Sequence, residues 1–172
     1  MIATRRLDGW LARRENRGVR DLIHATGEQE LQQVRELFRE YHRWVDEPCC
    51  FAGFEQELAG LPGEYVPPGG GLLLALAEGA PAGCVALRDF DAGRSEMKRL
   101  YVRPAYQGQG LGRRLAQAAI HAARAAGSHT LLLDTLPKMA SAIALYRALG
   151  FAPRGPYSPS PTPGAVFFEL RL

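Results

Sequence analysis

Arg103-Pro-Ala-Tyr-Gln-Gly-Gln-Gly-Leu-Gly112 stands between a β-prone apolar run, Leu100-Tyr-Val102, and a long helical pattern over 111–126. Gly108, Gly110 and Gly112 fall where strand hands over to helix. The first N–H groups of a helix have no partner within it and carry partial positive charge. Glycines let a ligand come close to that backbone. The stretch therefore reads as an anion cradle, suited to a phosphate or diphosphate.

The type of cradle can be narrowed. A mononucleotide P-loop ends in Gly-Lys-Ser/Thr, whereas Gly112 is followed by Arg113 and Arg114. A dinucleotide fingerprint spaces its glycines G-x-G-x-x-G in the first strand–helix unit, and here the spacing is G-x-G-x-G in mid-chain. What the residues do spell is Q-x-x-G-x-G, as Gln107-Gly-Gln-Gly110-Leu-Gly112, after Val102-Arg-Pro104. That resembles the acetyl-CoA loop of the GNAT N-acetyltransferase superfamily.

Outward from the cradle the chain divides into short elements. Towards the N-terminus, Val19 to Ala25 reads as a first strand, and Thr26-Gly-Glu-Gln29 as a T-x-x-Q capping box opening a helix. Leu31, Val34, Phe38 and Tyr41 share one face of that helix, Leu37, Trp44 and Val45 widen the apolar stripe, and Pro48 ends it. A second short helix over 51–61 aligns Phe54, Leu58 and Leu61. Apolar runs over 72–77 and 82–88, joined by Glu78-Gly-Ala-Pro81, predict a hairpin, and Asp91-Ala-Gly93 turns into the strand 95–102 that enters the cradle. Beyond the cradle, the helix presents Leu111, Leu115, Ala118, Ala119 and Ala122 to a sheet and stops at Gly127. A buried strand over 130–134 completes a parallel crossover unit. Another helix over 138–149 stops at Gly150, a short strand starts at Phe151, a proline-rich loop spans 157–163, and 165–172 is a final strand. This order gives an α+β or α/β domain with a mixed sheet.

Composition bounds the rest. The 172 residues suffice for one domain with a real core, and 47% apolar with 23% charged residues is ordinary for a globule. No run is long and apolar enough to span a bilayer, and the polar N-terminus has no secretory h-region, so a cytoplasmic protein is expected. Six arginines against Asp8 and Glu15 give residues 1–20 a charge of +4, which leaves −1 for the remainder of the +3 chain. No nucleic-acid-binding face and no membrane partner are expected. Residues 1–18 read as a basic, poorly ordered extension and 19–172 as the folded domain. Cys49, Cys50 and Cys84 read as reduced thiols, and the four histidines lack metal-ligand spacing, so no metal is expected.

The resemblance extends beyond the loop. Ala142-Ile-Ala-Leu-Tyr-Arg-Ala-Leu-Gly-Phe151 is similar to the family's A-x-x-L-Y-x-x-x-G-F segment, and the element order is that of the GNAT fold. That fold implies an α+β, α/β-like domain: a mixed, mostly antiparallel sheet with a central parallel pair formed by the fourth and fifth strands, flanked by about four helices. It also implies acetyl-CoA as co-substrate and direct acetyl transfer to a primary amine. The cofactor-binding positions carried over are Leu100, Tyr101 and Val102 for the pantetheine, Gln107, Gly108, Gln109, Gly110, Leu111, Gly112 and Arg113 for the diphosphate, and Met139 and Tyr146 at the cleft. Met139 occupies the place where many members have asparagine, and Lys138 stands beside it. Tyr146 matches the tyrosine that protonates the departing thiolate, with Val102 the backbone donor to the oxyanion. Glu96 stands at the offset of the glutamate base in the histone acetyltransferase branch. A Glu96–Lys98 structural pair and a water chain with no dedicated base stay open beside that role. Acceptor-site candidates are His42, Trp44, Asp46, Glu47, Phe51, Glu55, Tyr65 and Tyr157. The expected acceptor is a small-molecule amine, with a protein N-terminus or lysine, or a non-catalytic acyl-CoA-sensing module, as the alternatives; many members pair, so a homodimer is expected.

Overall fold

The computed structural model describes residues 21–47, 53–159 and 161–172. The arginine-rich tail, Val19, Pro48, Cys49, Cys50 and Phe51 lie outside the described residues. The elements are β1 (Asp21–His24), α1 (Glu28–Val45), α2 (Phe54–Gly60), β2 (Gly71–Ala77), β3 (Ala80–Asp91), β4 (Arg94–Val102), a 3-10 turn (Pro104–Tyr106), α3 (Leu111–Ala125), β5 (Thr130–Thr135), α4 (Ala140–Ala148), β6 (Ala152–Arg154) and β7 (Val166–Arg171). The seven strands form one sheet in the order β1-β2-β3-β4-β5-β7-β6. Only β4 and β5 run parallel. The element order expected from the sequence is the one observed, with the central parallel pair in place.

Alternation along the strands builds a core on each side of the sheet. Leu73, Val85, Leu87, Met97, Leu131 and Leu133 meet Leu115 and Ala119 of α3 on one face. Leu72, Leu74, Cys84, Ala86 and Tyr101 meet Val34, Leu37 and Phe38 of α1 and Leu58 of α2 on the other. The Cys84 thiol is buried and free, and burial pushes its pKa up.

Two local expectations need correction in α1. The cap is Gly27, and Glu30 closes the first turn by accepting the N–H groups of Thr26 (2.8 Å) and Gly27 (3.0 Å). A carboxylate reaching two free donors at the positive end of a helix outcompetes the Thr26–Gln29 arrangement. Trp44 does not join the apolar stripe; it is 57% exposed. Six residues on from Phe38 it lies about 120° around the helix, whereas Val45, one residue later, returns to within about 20°. The indole instead stacks on Tyr41, ring centroids 6.3 Å apart.

The feature that shapes the centre of the sheet is a bulge in β4. Cys84 pairs with Tyr101 and Ala86 with Lys98, so two residues of β3 span three of β4. Arg99 takes up the extra length with a positive φ of 55°. An inserted residue reverses the in–out alternation downstream of it. Lys98 and Arg99 consequently lie on the α1/α2 side, while Leu100 and Val102 join Met97 against the α3 core. Just ahead of the bulge β4 and β5 part company, their last paired residues being Glu96 and Leu132.

The bulge is strapped down by ion pairs. The Arg99 guanidinium donates to both oxygens of Glu57 in α2 (2.5 and 3.1 Å) and lies 5.8 Å from the Phe54 ring centroid. At the end of β4, Arg103 donates to both oxygens of Glu40 in α1 (2.7 and 3.0 Å) and to the Pro81 carbonyl (2.6 Å). Beside these straps, β3 presses on β4 without a side chain between them. A Cβ on Gly83 would stand 2.7 Å from the Tyr101 carbonyl oxygen and 3.2 Å from Leu115 of α3. Gly83→Ala should therefore destabilise the fold by about 1–3 kcal/mol through overpacking, read as a lower urea midpoint with an unchanged m-value.

Candidate active site

The parting of β4 and β5 opens a V in the sheet. Arg103 N–H bonds the Ala82 carbonyl of β3 (2.9 Å). N–H groups alternate in direction along an antiparallel strand, so those of Val102 and Leu100 point the other way, into the V. A cleft of about 600 Å³ runs from there to the start of α3. It is lined by Leu100, Tyr101 and Val102 of β4, by Gln107, Gly108, Gly110, Leu111, Gly112 and Arg113, and by Met139 and Tyr146. Of the expected cofactor-binding residues, Gln109 alone is outside the lining; its side-chain amide donates to the Ala105 carbonyl (3.1 Å).

The cradle works through its backbone. Gly108 and Gly110 have φ of 72° and 79°, a region side chains avoid. The first bond of the helix ladder is Arg114 N–H to the Gly110 carbonyl (3.1 Å), which leaves the N–H groups of Leu111, Gly112 and Arg113 outside the ladder. The Gln107 N–H is committed to the Pro104 carbonyl (3.2 Å), so the open run of donors begins after it. The Gln107 side-chain amide donates to the Val102 carbonyl (2.9 Å) and ties the cradle to the end of β4. Open N–H groups, room above the glycines and the positive end of a fifteen-residue helix suit a diphosphate. Lys138, beside the missing asparagine, is turned elsewhere: its ammonium donates to the Val45 carbonyl (2.7 Å) and to Glu47 (2.9 Å).

At the inner end of the V is a narrower chamber of about 80 Å³. Tyr41, Lys98, Arg99, Leu100, Asp134, Leu136, Met139, Tyr146 and Thr162 are among its walls. Tyr146 belongs to both spaces, and its buried ring leans on Phe151 and Phe168. Burial pushes its phenol well above the ordinary tyrosine range, so the hydroxyl keeps its proton at neutral pH. Glu96 is buried at the floor of the V. It accepts hydrogen bonds from Arg88 Nε (2.5 Å) and Tyr157 Oη (2.7 Å), with the Lys98 ammonium 3.9 Å away. The expected Glu96–Lys98 pair is thus secondary to Arg88, which in turn donates to Glu64 (2.7 Å).

The acceptor candidates scatter. Tyr65 is buried and donates to Glu57 (2.6 Å), Glu47 is held by Lys138, the His42 ring lies against Phe54, and Tyr157 reaches Glu96. Trp44 lines the cleft. Asp134, Lys98, Thr162 and Tyr41 were missed as wall residues. The available signal was Asp134 as the single charge in the apolar run 130–136. Burial raises the Asp134 carboxyl pKa, and the nearby Lys98 ammonium opposes that rise.

Comparison with known proteins agrees with this geometry. The Acetyltransferase (GNAT) family profile matches residues 31–151. An uncharacterized N-acetyltransferase of Schizosaccharomyces pombe is 36% identical over 146 residues, covering 84% of this chain and 90% of that one. An acetyltransferase structure from Streptococcus agalactiae superposes with a TM-score of 0.76 at 21% identity, covering 91% of this chain and all of that one (100%). A GNAT family acetyltransferase from Elizabethkingia anophelis, solved with acetyl-CoA bound, gives a TM-score of 0.53 at 23% identity over 60% of this chain and 77% of that one. The chain belongs to the GNAT acetyltransferase family. It is an acetyl-CoA-dependent acyltransferase. Among the described residues, no helix is long and apolar enough to cross a membrane and no group of three His, Cys, Asp or Glu side chains could hold a metal ion.

The strap beneath the chamber sets a pH dependence. Burial alone would raise the Glu57 carboxyl, but the Arg99 guanidinium and the Tyr65 hydroxyl hold it below its usual value of 4.5. A carboxylate with a lowered folded-state pKa stabilises fully above its unfolded value and loses that contribution as pH falls through the folded one. Glu57→Gln should cost about 3 kcal/mol at neutral pH, because it strands the Arg99 charge. The gap in urea stability between wild type and variant should close as pH drops below the ordinary glutamate range; a constant gap down to acid would refute the assignment.

Proposed function

We propose that the chain transfers the acetyl group of acetyl-CoA directly to the primary amine of a small molecule. The observation that carries this reading is Tyr146, a buried phenol shared by the diphosphate-side cleft and the inner chamber. The chamber's size, about 80 Å³, favours the head of a small molecule over a folded protein surface.

Bound acetyl-CoA supplies an activated thioester. The free N–H groups of Leu111, Gly112 and Arg113 hold the diphosphate, and the edge of β4 facing the V holds the pantetheine. The Val102 and Leu100 N–H groups offer hydrogen bonds to the carbonyl oxygen, which gains charge as the amine attacks. The C–N bond forms, the C–S bond breaks, and the Tyr146 hydroxyl gives its proton to the departing sulfur. Glu96 is the final acceptor of the amine's proton. Glu96 lines neither the chamber nor the cleft, so the proton reaches it through water.

Two measurements test this. Titration calorimetry of the full chain should show acetyl-CoA binding. Tyr146→Phe should keep that affinity and lower kcat for amine acetylation by about a hundredfold, the usual scale of general-acid catalysis. Tight binding with no turnover of any amine would make the chain a sensor, and unchanged kcat in Tyr146→Phe would remove the acid role.

A further inference from the structure

Among the described residues, the chamber's charges are not all held in close ion pairs. Arg99 is bound to Glu57, and Arg88 to Glu96 and Glu64. Glu96 accepts its short hydrogen bonds from Arg88 and Tyr157, and the Lys98 ammonium, 3.9 Å away, is its looser third partner. Asp134 forms no ion pair among the described residues. Asp134 and the loosely held Lys98 both line the chamber.

Their placement follows from the register. Glu96 and Leu132 are the last paired residues of β4 and β5. Lys98 and Asp134 come two residues later on each strand, so they lie on the same face as that pair, on opposite banks where the V begins to open. Tyr146 lines the same chamber as both. The half-buried Asp134 carboxylate is poorly solvated, a cost that the Lys98 ammonium across the V offsets only in part and an arriving ammonium relieves further.

We infer that the acceptor is a zwitterion of the α-amino-acid type, its ammonium received by Asp134 and its neighbouring carboxylate by Lys98. The inference rests on the amine-acetylation reading and narrows its substrate class. Asp134 brings the nitrogen into the chamber that Tyr146 lines, and Lys98 selects molecules that carry an anion beside it. An amine lacking the carboxylate leaves Lys98 without its counter-charge, and an amine replaced by a hydroxyl leaves Asp134 without its own.

The test compares free L-amino acids with their carboxamides as acceptors, using thiol release from acetyl-CoA by the full-length chain. The acids should exceed the amides in kcat/KM by about tenfold or more, the worth of a charge-assisted hydrogen bond. Lys98→Met should bring the acid-to-amide ratio towards one, a readout that a general folding defect, which lowers both rates, does not move. Asp134→Asn should lower kcat/KM for acids and amides alike. Amides accepted as well as acids, or a ratio unchanged by Lys98→Met, would overturn the inference while leaving amine acetylation standing. Acetylation confined to amines or peptides without a nearby carboxylate would do the same. Silence across both series would overturn this inference, and silence extended to every other amine, with acetyl-CoA still bound, would overturn the acetylation reading as well.

Discussion

One inserted residue in β4 governs the active-site half of the molecule. With Arg99 in the left-handed region, the strand turns Lys98 and Arg99 to the same side and sends Leu100 and Val102 to the other. The same irregularity accompanies the separation of β4 from β5, and separated strands expose backbone donors that an intact ladder would consume. A bulge of this kind stores strain and needs external support. The support comes from two arginines, Arg99 of β4 to Glu57 and Arg103, the residue after β4, to Glu40, so the helices on that face are bolted to the strand at the V and at its exit.

The electrostatics of the site follow from which charges are committed to this scaffolding. Arg99 and Glu57 are 10% and 19% exposed, and Tyr65 completes their network from the core. Arg88 draws Glu96 into a second network that reaches Glu64 and, through Tyr157, the β6–β7 loop. Tyr157 is itself wedged between Phe90 and Phe167, with ring centroids 5.2 and 5.5 Å away. The loop is thereby fastened beside the chamber, to whose wall it contributes Thr162. In that setting Asp134 stands out because it forms no ion pair among the described residues, and Lys98 because its contact with Glu96 is the loosest of the network.

How much of this was legible in the sequence depends on the range of the interactions involved. The cradle could be read directly, because glycines before a helix act through their own backbone, and Gly108 and Gly110 have the torsions such a turn requires. The order of strands and helices was equally local in origin. The bulge was not: Ser95 to Val102 reads as an unbroken strand, and only the pairing with β3 and the pull of Glu57, forty-two residues away, fixes where the extra residue goes. Trp44 looked like core from its apolarity, but its angle on α1 put it in solvent. Asp134 reads as the end of a buried strand, and only the fold brings it to the chamber wall that it shares with Lys98. Tyr65, an acceptor candidate by composition, was claimed by Glu57.

The exposed indole at the cleft rim has a practical side. Trp44 is one of two tryptophans in the chain, the other being Trp10, and it stands on the lining where a nucleotide-bearing ligand would pass. Its emission is sensitive to the polarity and the aromatic neighbours it meets there, and Tyr41 already shares its stack. The protein therefore carries its own optical probe of occupancy, set at the doorway instead of at the reacting atoms.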